Sequence, residues 1–143
     1  GSPLYGSESM GLFGYSVSLS ADGKHLAVGA PHAHDFVGCA EVYYFEEEDS
    51  STTIASNSMS WVLHHDPIVG DTAGMKLGYS VLLSPNGTML VVSAPYYKQQ
   101  QQQEDVIMIP NAGIVRIYED GKARSSRFDE FSDSLASVDH FPL

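Results

Sequence analysis

The sequence predicts an all-β fold made of two stacked, four-stranded antiparallel sheets, and three observations lead to it. A 19-residue stretch that starts at Phe13 recurs 64 residues later from Leu77, with eleven of the nineteen positions identical. Within it, apolar and small residues alternate with the period of two that a strand shows. Helical periodicity is missing, and the Gly, Ser and β-branched content disfavours helices. A repeat of this length indicates stacked supersecondary units.

Four strands are predicted in each unit. The first, over 13–20, leads into Asp22-Gly23, and the second unit has Asn86-Gly87 at that place. Both dipeptides supply the positive φ angles of a tight hairpin, so the second strand is expected to fold straight back. The remaining strands are predicted over 24–30, 40–45 and 60–65 in the first unit and over 88–94, 114–119 and 135–140 in the second.

The repeat divides the chain into a first unit over 3–66 and a second over 67–141. The second unit carries a loop insertion over 96–112 with a glutamine tract, which is typical of a surface loop. Residues 142–143 stand where a further unit would begin. We therefore expect a segment of a longer array, or an end that falls in phase by chance. Beyond the 19-residue stretch, matching positions are Pro3-Leu4-Tyr5-Gly6 with Pro67-Ile68-Val69-Gly70 at an offset of 64, and Gly38, Val42 and Tyr43 with Gly113, Ile117 and Tyr118 at an offset of 75.

The two faces of the predicted first sheet differ in bulk rather than in polarity. One face carries small residues, namely Gly14, Ser16, Ser18, Ala27 and Gly29. The other carries large residues, namely Phe13, Tyr15, Val17, Leu19, Leu26 and Val28. A sheet of this kind is suited to stacking face to face on a copy of itself, and each large side chain buried there contributes about 1.5–3 kcal/mol.

Composition excludes several classes of function. Seven basic against eighteen acidic residues give a net charge of −11, which disfavours binding to nucleic acid or to anionic membranes. The single cysteine, Cys39, excludes an intrachain disulfide and a cysteine-rich metal site. The sequence shows neither an apolar run long enough for a membrane span nor a signal-peptide pattern.

Phe13-Gly14 and Gly29-Ala30-Pro31 resemble the FG-GAP repeat family, which includes the integrin α-subunit propeller. The resemblance covers nearly the whole chain, although the second unit departs from it with Leu77-Gly78 and Ser93-Ala94-Pro95. It implies a β-propeller with four-stranded blades and favours an extracellular or organelle-lumenal location. Because a closed ring needs about four to eight blades, it also implies that further blades or a protein partner cover the open sheet faces.

Integrin-type blades often carry a calcium loop between their first two strands. The matching loops here are 21–24 and 85–88, with one carboxylate in the first and none in the second. Calcium takes six to eight oxygen ligands, which these loops do not supply, so we predict no calcium site in them.

The loop after Pro31 holds the candidate metal ligands, His32, His34 and Asp35. Two imidazoles separated by one residue can share a face and bind zinc or copper, but a polar solvent loop is the favoured interpretation, since no motif fixes a third ligand. The second unit has tyrosines at this place. We predict protein contact at both loops, through His32, His34, Asp35, Phe36, Tyr96 and Tyr97.

Other residues have a chemical and a structural interpretation. No serine lies in a strand-turn-helix nucleophile elbow of the kind that hydrolases use. The acidic run over 46–49 could supply paired catalytic acids, but a solvated strand end is the favoured interpretation. Asn86-Gly87-Thr88 matches the glycosylation sequon, but its turn already accounts for these residues, so Asn86 is only a candidate for glycosylation. His64-His65-Asp66 is expected to be structural. Core positions are favoured for the remaining residues with a possible site role, namely Cys39, Tyr43, Tyr44, Trp61 and Tyr118.

We therefore predict a non-catalytic propeller segment without a cofactor, which mediates or supports protein–protein contacts through its variable loops at 31–38, 46–58 and 95–113. An accessory subunit docked on a larger assembly is one alternative. A hydrolase or metal enzyme that uses the loop histidines and acids is the other.

Overall fold

The computed structural model describes residues 3–47, 59–98 and 112–123, and it confirms an all-β fold of two antiparallel sheets. The first sheet has the strand order β1 (Ser16–Leu19), β2 (His25–Ala30), β3 (Cys39–Glu47), β4 (Met59–Leu63), with the short strand β5 (Ile68–Val69) also paired to β3. The second sheet has the order β6 (Ser80–Leu83), β7 (Met89–Ala94), β8 (Ile114–Glu119), β9 (Lys122–Ala123). A short helical turn, α1 (Ala33–Phe36), follows β2.

Most predicted strands are present with shifted ends. The first strand begins at Ser16 rather than Phe13, because Gly14 has a φ of +87° and turns the chain just before it. The fourth strand of the second unit, predicted over 135–140, lies outside the described residues; within the described chain, the strand that follows β8 in the sheet is β9. Neither α1 nor β5 was predicted.

The turns between the first two strands of each sheet are longer than the predicted two-residue hairpin. The last pair of the first hairpin is Leu19↔Leu26, and Ser20 N–H then donates to the His25 carbonyl at 2.9 Å. In this loop only Gly23 has a positive φ, so the prediction of two such residues was wrong. The Asp22 carboxylate instead accepts bonds from the Ser20 hydroxyl at 2.6 Å and the Lys24 N–H at 3.0 Å. Side-chain bonds of this kind stabilise a four-residue loop that needs one left-handed residue.

β5 joins the start of the second repeat to the first sheet. Its pairs are Cys39↔Val69 and Ala40↔Ile68, along the β3 edge that β4 leaves free. The chain then runs on to Leu77, whose N–H donates to the Val37 carbonyl at 3.0 Å. The first sheet is therefore completed by residues that belong to the second unit in sequence.

The sheets stack face to face, as the repeat predicted, and the small face of the first lies on the bulky face of the second. Val81 and Leu83 are 6% and 7% exposed, whereas their repeat counterparts Val17 and Leu19 are 62% and 56% exposed. The core between the sheets is formed by Ala27, Ala40, Val42, Ile68, Met75, Leu77, Val81, Leu83, Leu90, Val92, Ala94 and Tyr118.

Small residues allow the two backbones to approach closely at this interface. A Cβ on Gly29 would overlap the Gly78 carbonyl oxygen. The Ser16 hydroxyl donates to that same oxygen at 2.9 Å, and the Ser18 hydroxyl accepts from the Leu83 N–H at 2.9 Å. The serines of the first strand therefore bond to the second sheet rather than merely leaving space for it.

Candidate protein-interaction surface

Three exposed tyrosines form a row at one end of the two sheets. The ring centroids of Tyr15 and Tyr79 are 5.0 Å apart with an interplanar angle of 51°, and those of Tyr79 and Tyr96 are 6.4 Å apart at 69°. Each side chain is more than a third exposed. We call Tyr15, Tyr79 and Tyr96 the tyrosine row. It brings together a residue from the first repeat and two from the second.

The repeat fixes two members of this row. Tyr15 and Tyr79 follow Gly14 and Gly78, whose φ angles are +87° and +85°, and each stands immediately before the first strand of its sheet. The sequence suggested that Tyr15 lies on the bulky sheet face. It lies instead ahead of β1, because the glycine turn directs the chain along the end of the sheets.

Tyr96 reaches the row from the loop after β7. Its N–H donates to the Met75 carbonyl at 3.4 Å, which ties this loop to the segment leading into the second sheet. The Lys76 ammonium lies 4.6 Å from the centre of the Tyr96 ring, a cation–π distance. The row therefore combines aromatic faces with one positive charge.

A hydrogen bond couples two phenols of the row. The bond between Tyr15 and Tyr79, followed by partial desolvation and the negative charge that Tyr79 and Tyr96 would carry if ionised, raises the pKa of Tyr15. Tyr15 is therefore a neutral phenol at physiological pH, able to donate or accept a hydrogen bond at its exposed tip.

An ion pair supports the same end of the second sheet. Arg116 on β8 contacts the Asp71 carboxylate at 2.5 Å and lies 5.9 Å from the Tyr97 ring. Burial works against ionisation of Asp71, but the hydrogen bonds from Arg116 and Thr72 outweigh it and lower the pKa of this carboxyl. Tyr97, predicted as a contact residue, is partly buried and serves as a platform for Arg116.

The loop after β2 places the predicted residues on a tight left-handed turn. His34, Asp35 and Phe36 have φ angles of +52°, +55° and +66°. His34 contacts Glu8 twice, through Nδ1 at 3.1 Å and through its N–H at 2.7 Å. The His32 ring stacks at 4.8 Å on Phe36, which is half-exposed.

The metal candidates do not gather around a common point. Across 3–47, 59–98 and 112–123, no three His, Cys, Asp or Glu side chains are placed to hold an ion together. His32 faces an aromatic ring and His34 a single carboxylate.

Two of the four aromatic residues that were weighed as core or contact residues are buried. Tyr43 and Tyr118 occupy matching core positions in the two sheets, which confirms the structural interpretation for them. Trp61 and Tyr44 are partly buried on the first sheet, and Trp61 stacks on Phe45 at 5.1 Å. Cys39 is buried as predicted, and burial, followed by the negative charges of Glu41 and Glu8, raises the pKa of its thiol to about 11.

At the opposite end of the sheets, three histidines form a cluster that the sequence did not reveal. The His64 ring lies 5.9 Å from His25 and 5.6 Å from His65. Within the described chain, the Nδ1 atom of His25 is buried without a hydrogen-bond partner. His65 Nδ1 lies 2.8 Å from the Asp66 carbonyl, in agreement with the expected structural role of this segment.

Asn86 occupies a turn, as its residue type suggested. Its side-chain oxygen accepts from the hydroxyls of Ser84 at 2.7 Å and Thr88 at 3.0 Å. The side chain is exposed, and its glycosylation stays a prediction.

Sequence comparison adds no family to these observations. No protein-family model matches the chain, and no curated protein matches it. Among the helices of the described ranges, none has the length and apolar character needed to cross a membrane.

Proposed function

We propose that this chain is a non-catalytic segment of β-propeller type whose role is protein–protein contact through the tyrosine row. The observation that carries the proposal is the grouping of three exposed tyrosine rings. The ring centroid of Tyr79 lies 5.0 Å from that of Tyr15 and 6.4 Å from that of Tyr96. Tyrosine is enriched in protein interfaces because it buries a large, rigid ring and keeps a polar tip.

The surroundings of the row support a protein as its partner. Phe36 and Lys76 add an apolar ring and a charge at the same end of the sheets, where two of the three variable loops, 31–38 and 95–113, begin. An interface core of aromatic residues with a polar rim is the usual arrangement in protein complexes. Main-chain hydrogen bonds from Tyr15 to Leu12 and from Tyr96 to Met75 hold these two tyrosines in place before a partner arrives, which lowers the entropic cost of binding.

Site-specific photo-cross-linking in the native cell tests this role. A benzophenone amino acid in place of Tyr96 is expected to capture a discrete protein partner, and the Tyr15→Ala substitution in the same chain is expected to abolish the product. The matched control places the same photoreactive residue at the exposed Thr88, in the loop at the other end of the sheets. Equal labelling from both positions would contradict the proposal.

The accessory-subunit alternative is favoured by a second observation, the exposed apolar sheet faces. Val17 and Leu19 on one side and Leu82 and Val115 on the other are each more than half exposed. Contiguous apolar patches of this kind mark interaction sites. The metal-enzyme alternative stays a prediction, and metal analysis of the purified protein before and after His32→Ala and His34→Ala tests it.

A further inference from the structure

Each of the two sheets has one face that the other sheet does not cover. We call the side of the first sheet that carries Val17 and Leu19 the leading face. We call the side of the second sheet that carries Leu82, Val115 and Ile117 the trailing face. The three trailing-face residues are 61%, 63% and 41% exposed. Neither face is part of the tyrosine row.

Each open face is the repeat counterpart of a face that is buried between the sheets. Val17 and Leu19 match Val81 and Leu83, which pack on the first sheet. On the other side, Val115 and Ile117 match Ala40 and Val42, which receive the second sheet and are 0% and 3% exposed. The described part of the chain therefore contains this interface once and leaves a second copy of each of its two faces uncovered.

The backbone of both open faces repeats the conformation seen at the internal interface. Gly78 and Gly38 lie in the interface with φ angles of +85° and +82°, against the Cys39 carbonyl and the backbone of Leu77 respectively. The matching glycines on the open faces are Gly14 and Gly113, with φ angles of +87° and +71°. Nothing lies within 4 Å of the missing Cβ of Gly14, and the nearest atom to that of Gly113 is the Pro95 carbonyl oxygen at 3.4 Å.

An unpaired strand edge borders the trailing face. In the first sheet, β5 pairs Ile68 with Ala40 on β3. The matching position on β8 is Val115, and β8 is paired with β9 only at Tyr118 and Glu119, so Ile114 and Val115 have no partner on that edge among the residues that the structure describes. The counterpart of β5 near the start of the chain is Leu4-Tyr5, which lies outside any strand, and Tyr5 is 81% exposed.

We propose that a second copy of this chain docks head to tail, with its leading face on the trailing face of the first. Leu4-Tyr5 of one copy adds to the β8 edge of the other, with Leu4 opposite Val115 in the register of Ile68 and Ala40. Addition of a strand to an exposed edge is an established mode of recognition. The proposal does not depend on the tyrosine row having a protein partner.

The new interface is wider than the one within the chain. Leu82 stands where the first unit has Ser18, and Ser93 stands where it has Gly29. A Cβ at the Gly29 position would overlap the approaching carbonyl at the internal spacing. The second copy therefore lies farther out, and the larger trailing-face side chains fill the added distance.

A head-to-tail contact either closes into a ring or continues as a filament. Rings of stacked sheets contain about four to eight, and each copy supplies two, so two to four copies complete a ring. Because each copy carries a net charge of −11, added salt is expected to strengthen the assembly by screening repulsion between copies.

Sedimentation velocity on the full chain at micromolar concentration provides the test. The measurement is made in about 0.15 M and about 0.5 M salt, which differ in how strongly they screen charge repulsion between copies. Wild type is expected to sediment as a multiple of 15.5 kDa. Val17→Lys with Leu19→Lys blocks the leading face, and Val115→Lys with Ile117→Lys blocks the trailing face. Each variant alone is expected to be monomeric, and an equal mixture is expected to form a capped dimer of about 31 kDa, twice 15.5 kDa, through the two intact faces.

Controls separate this proposal from its rivals. A monomeric wild type, which would mean that the faces are covered within one chain or left bare, overturns it. A variant that forms a dimer on its own overturns the head-to-tail arrangement in favour of a symmetric contact between like faces, and a mixture of the two variants that stays monomeric overturns it as well. Tyr96→Ala is expected to leave the assembly unchanged while removing the partner of the tyrosine row.

Disulfide trapping gives a readout that does not depend on the lysine variants. A chain with Leu4→Cys mixed with a chain with Val115→Cys is expected to form a mixed disulfide under mild oxidation. Pairing Leu4→Cys with Ile117→Cys, two residues out of register, is expected to give at least several-fold less product. Equal yields from the two pairs overturn the register. The native Cys39 is buried and does not compete.

Discussion

Truncation of Leu83 tests the order in which the two sheets stack, because the repeat supplies its own control. Leu83 is 7% exposed between the sheets, and its counterpart Leu19 is 56% exposed on the leading face. Leu83→Ala leaves a cavity in a packed core and is expected to cost about 3 kcal/mol, within the range of about 2–5 kcal/mol for buried leucines. Leu19→Ala removes the same atoms from a half-exposed site, so the expected cost is about 1 kcal/mol.

Urea unfolding at a concentration where the chain is monomeric measures both substitutions. With a slope of about 2 kcal/mol per molar urea, the unfolding midpoint is expected to fall by about 1.5 M for Leu83→Ala and by about 0.5 M for Leu19→Ala, both at that slope. Equal shifts for the two substitutions, or a larger shift for Leu19→Ala, would refute the stacking of the small face of the first sheet on the bulky face of the second.

Three further predictions concern the interface, the thiol and the ion pair. Gly38→Ala is expected to destabilise the chain by at least about 2 kcal/mol more than Gly113→Ala in urea unfolding, because both glycines have a positive φ but only Gly38 lies against the backbone of Lys76 and Leu77. Cys39, whose thiol pKa is raised to about 11 by burial, is expected to react with a thiol reagent at pH 8 only once urea unfolds the chain; rapid reaction of the folded protein would contradict its burial. Arg116→Met is expected to raise the pKa of Asp71 in an NMR titration towards its ordinary value. Since the folded-state pKa of Asp71 is the lower one, the stabilisation of about 0.2–1 kcal/mol is present above the unfolded-state value and is lost as the pH falls through the folded-state value. An unchanged titration would show that the ion pair does not form in solution.

The period-two pattern and the repeat were sufficient to predict the stacked sheets. Alternation at Ser16, Val17, Ser18 and Leu19 separates a small from a large face, and the structure packs the small face on the second sheet while Val17 and Leu19 stay 62% and 56% exposed. Bulk was informative because close packing leaves little choice of which side chains fit between two backbones. The pattern did not reveal that the serines also donate and accept hydrogen bonds across the interface.

Features that depend on contacts between the units were harder to predict. β5 is two residues long, too short for a periodic signal, and forms because β3 offers an unpaired edge at Cys39 and Ala40. The turn at α1 needs three left-handed residues that are not glycine, which no local propensity favours. The tyrosine row escaped the sequence analysis for a related reason: Tyr15 and Tyr79 are 64 residues apart and meet only when the sheets stack.

Differences between the two units follow the contacts that each makes. At four positions on one face the first unit has a smaller residue than the second, namely Ser18, Ala27, Gly29 and Ala40 against Leu82, Val91, Ser93 and Val115. The first set lies against the second sheet, where Ala27 and Ala40 are 0% exposed and the Ser18 hydroxyl bonds to the Leu83 N–H. The second set lies on a face that meets no sheet in the described chain. Close backbone approach therefore limits residue size in the first unit, and its absence lets the second unit carry larger apolar side chains, which is the composition expected of a face that binds a more distant partner.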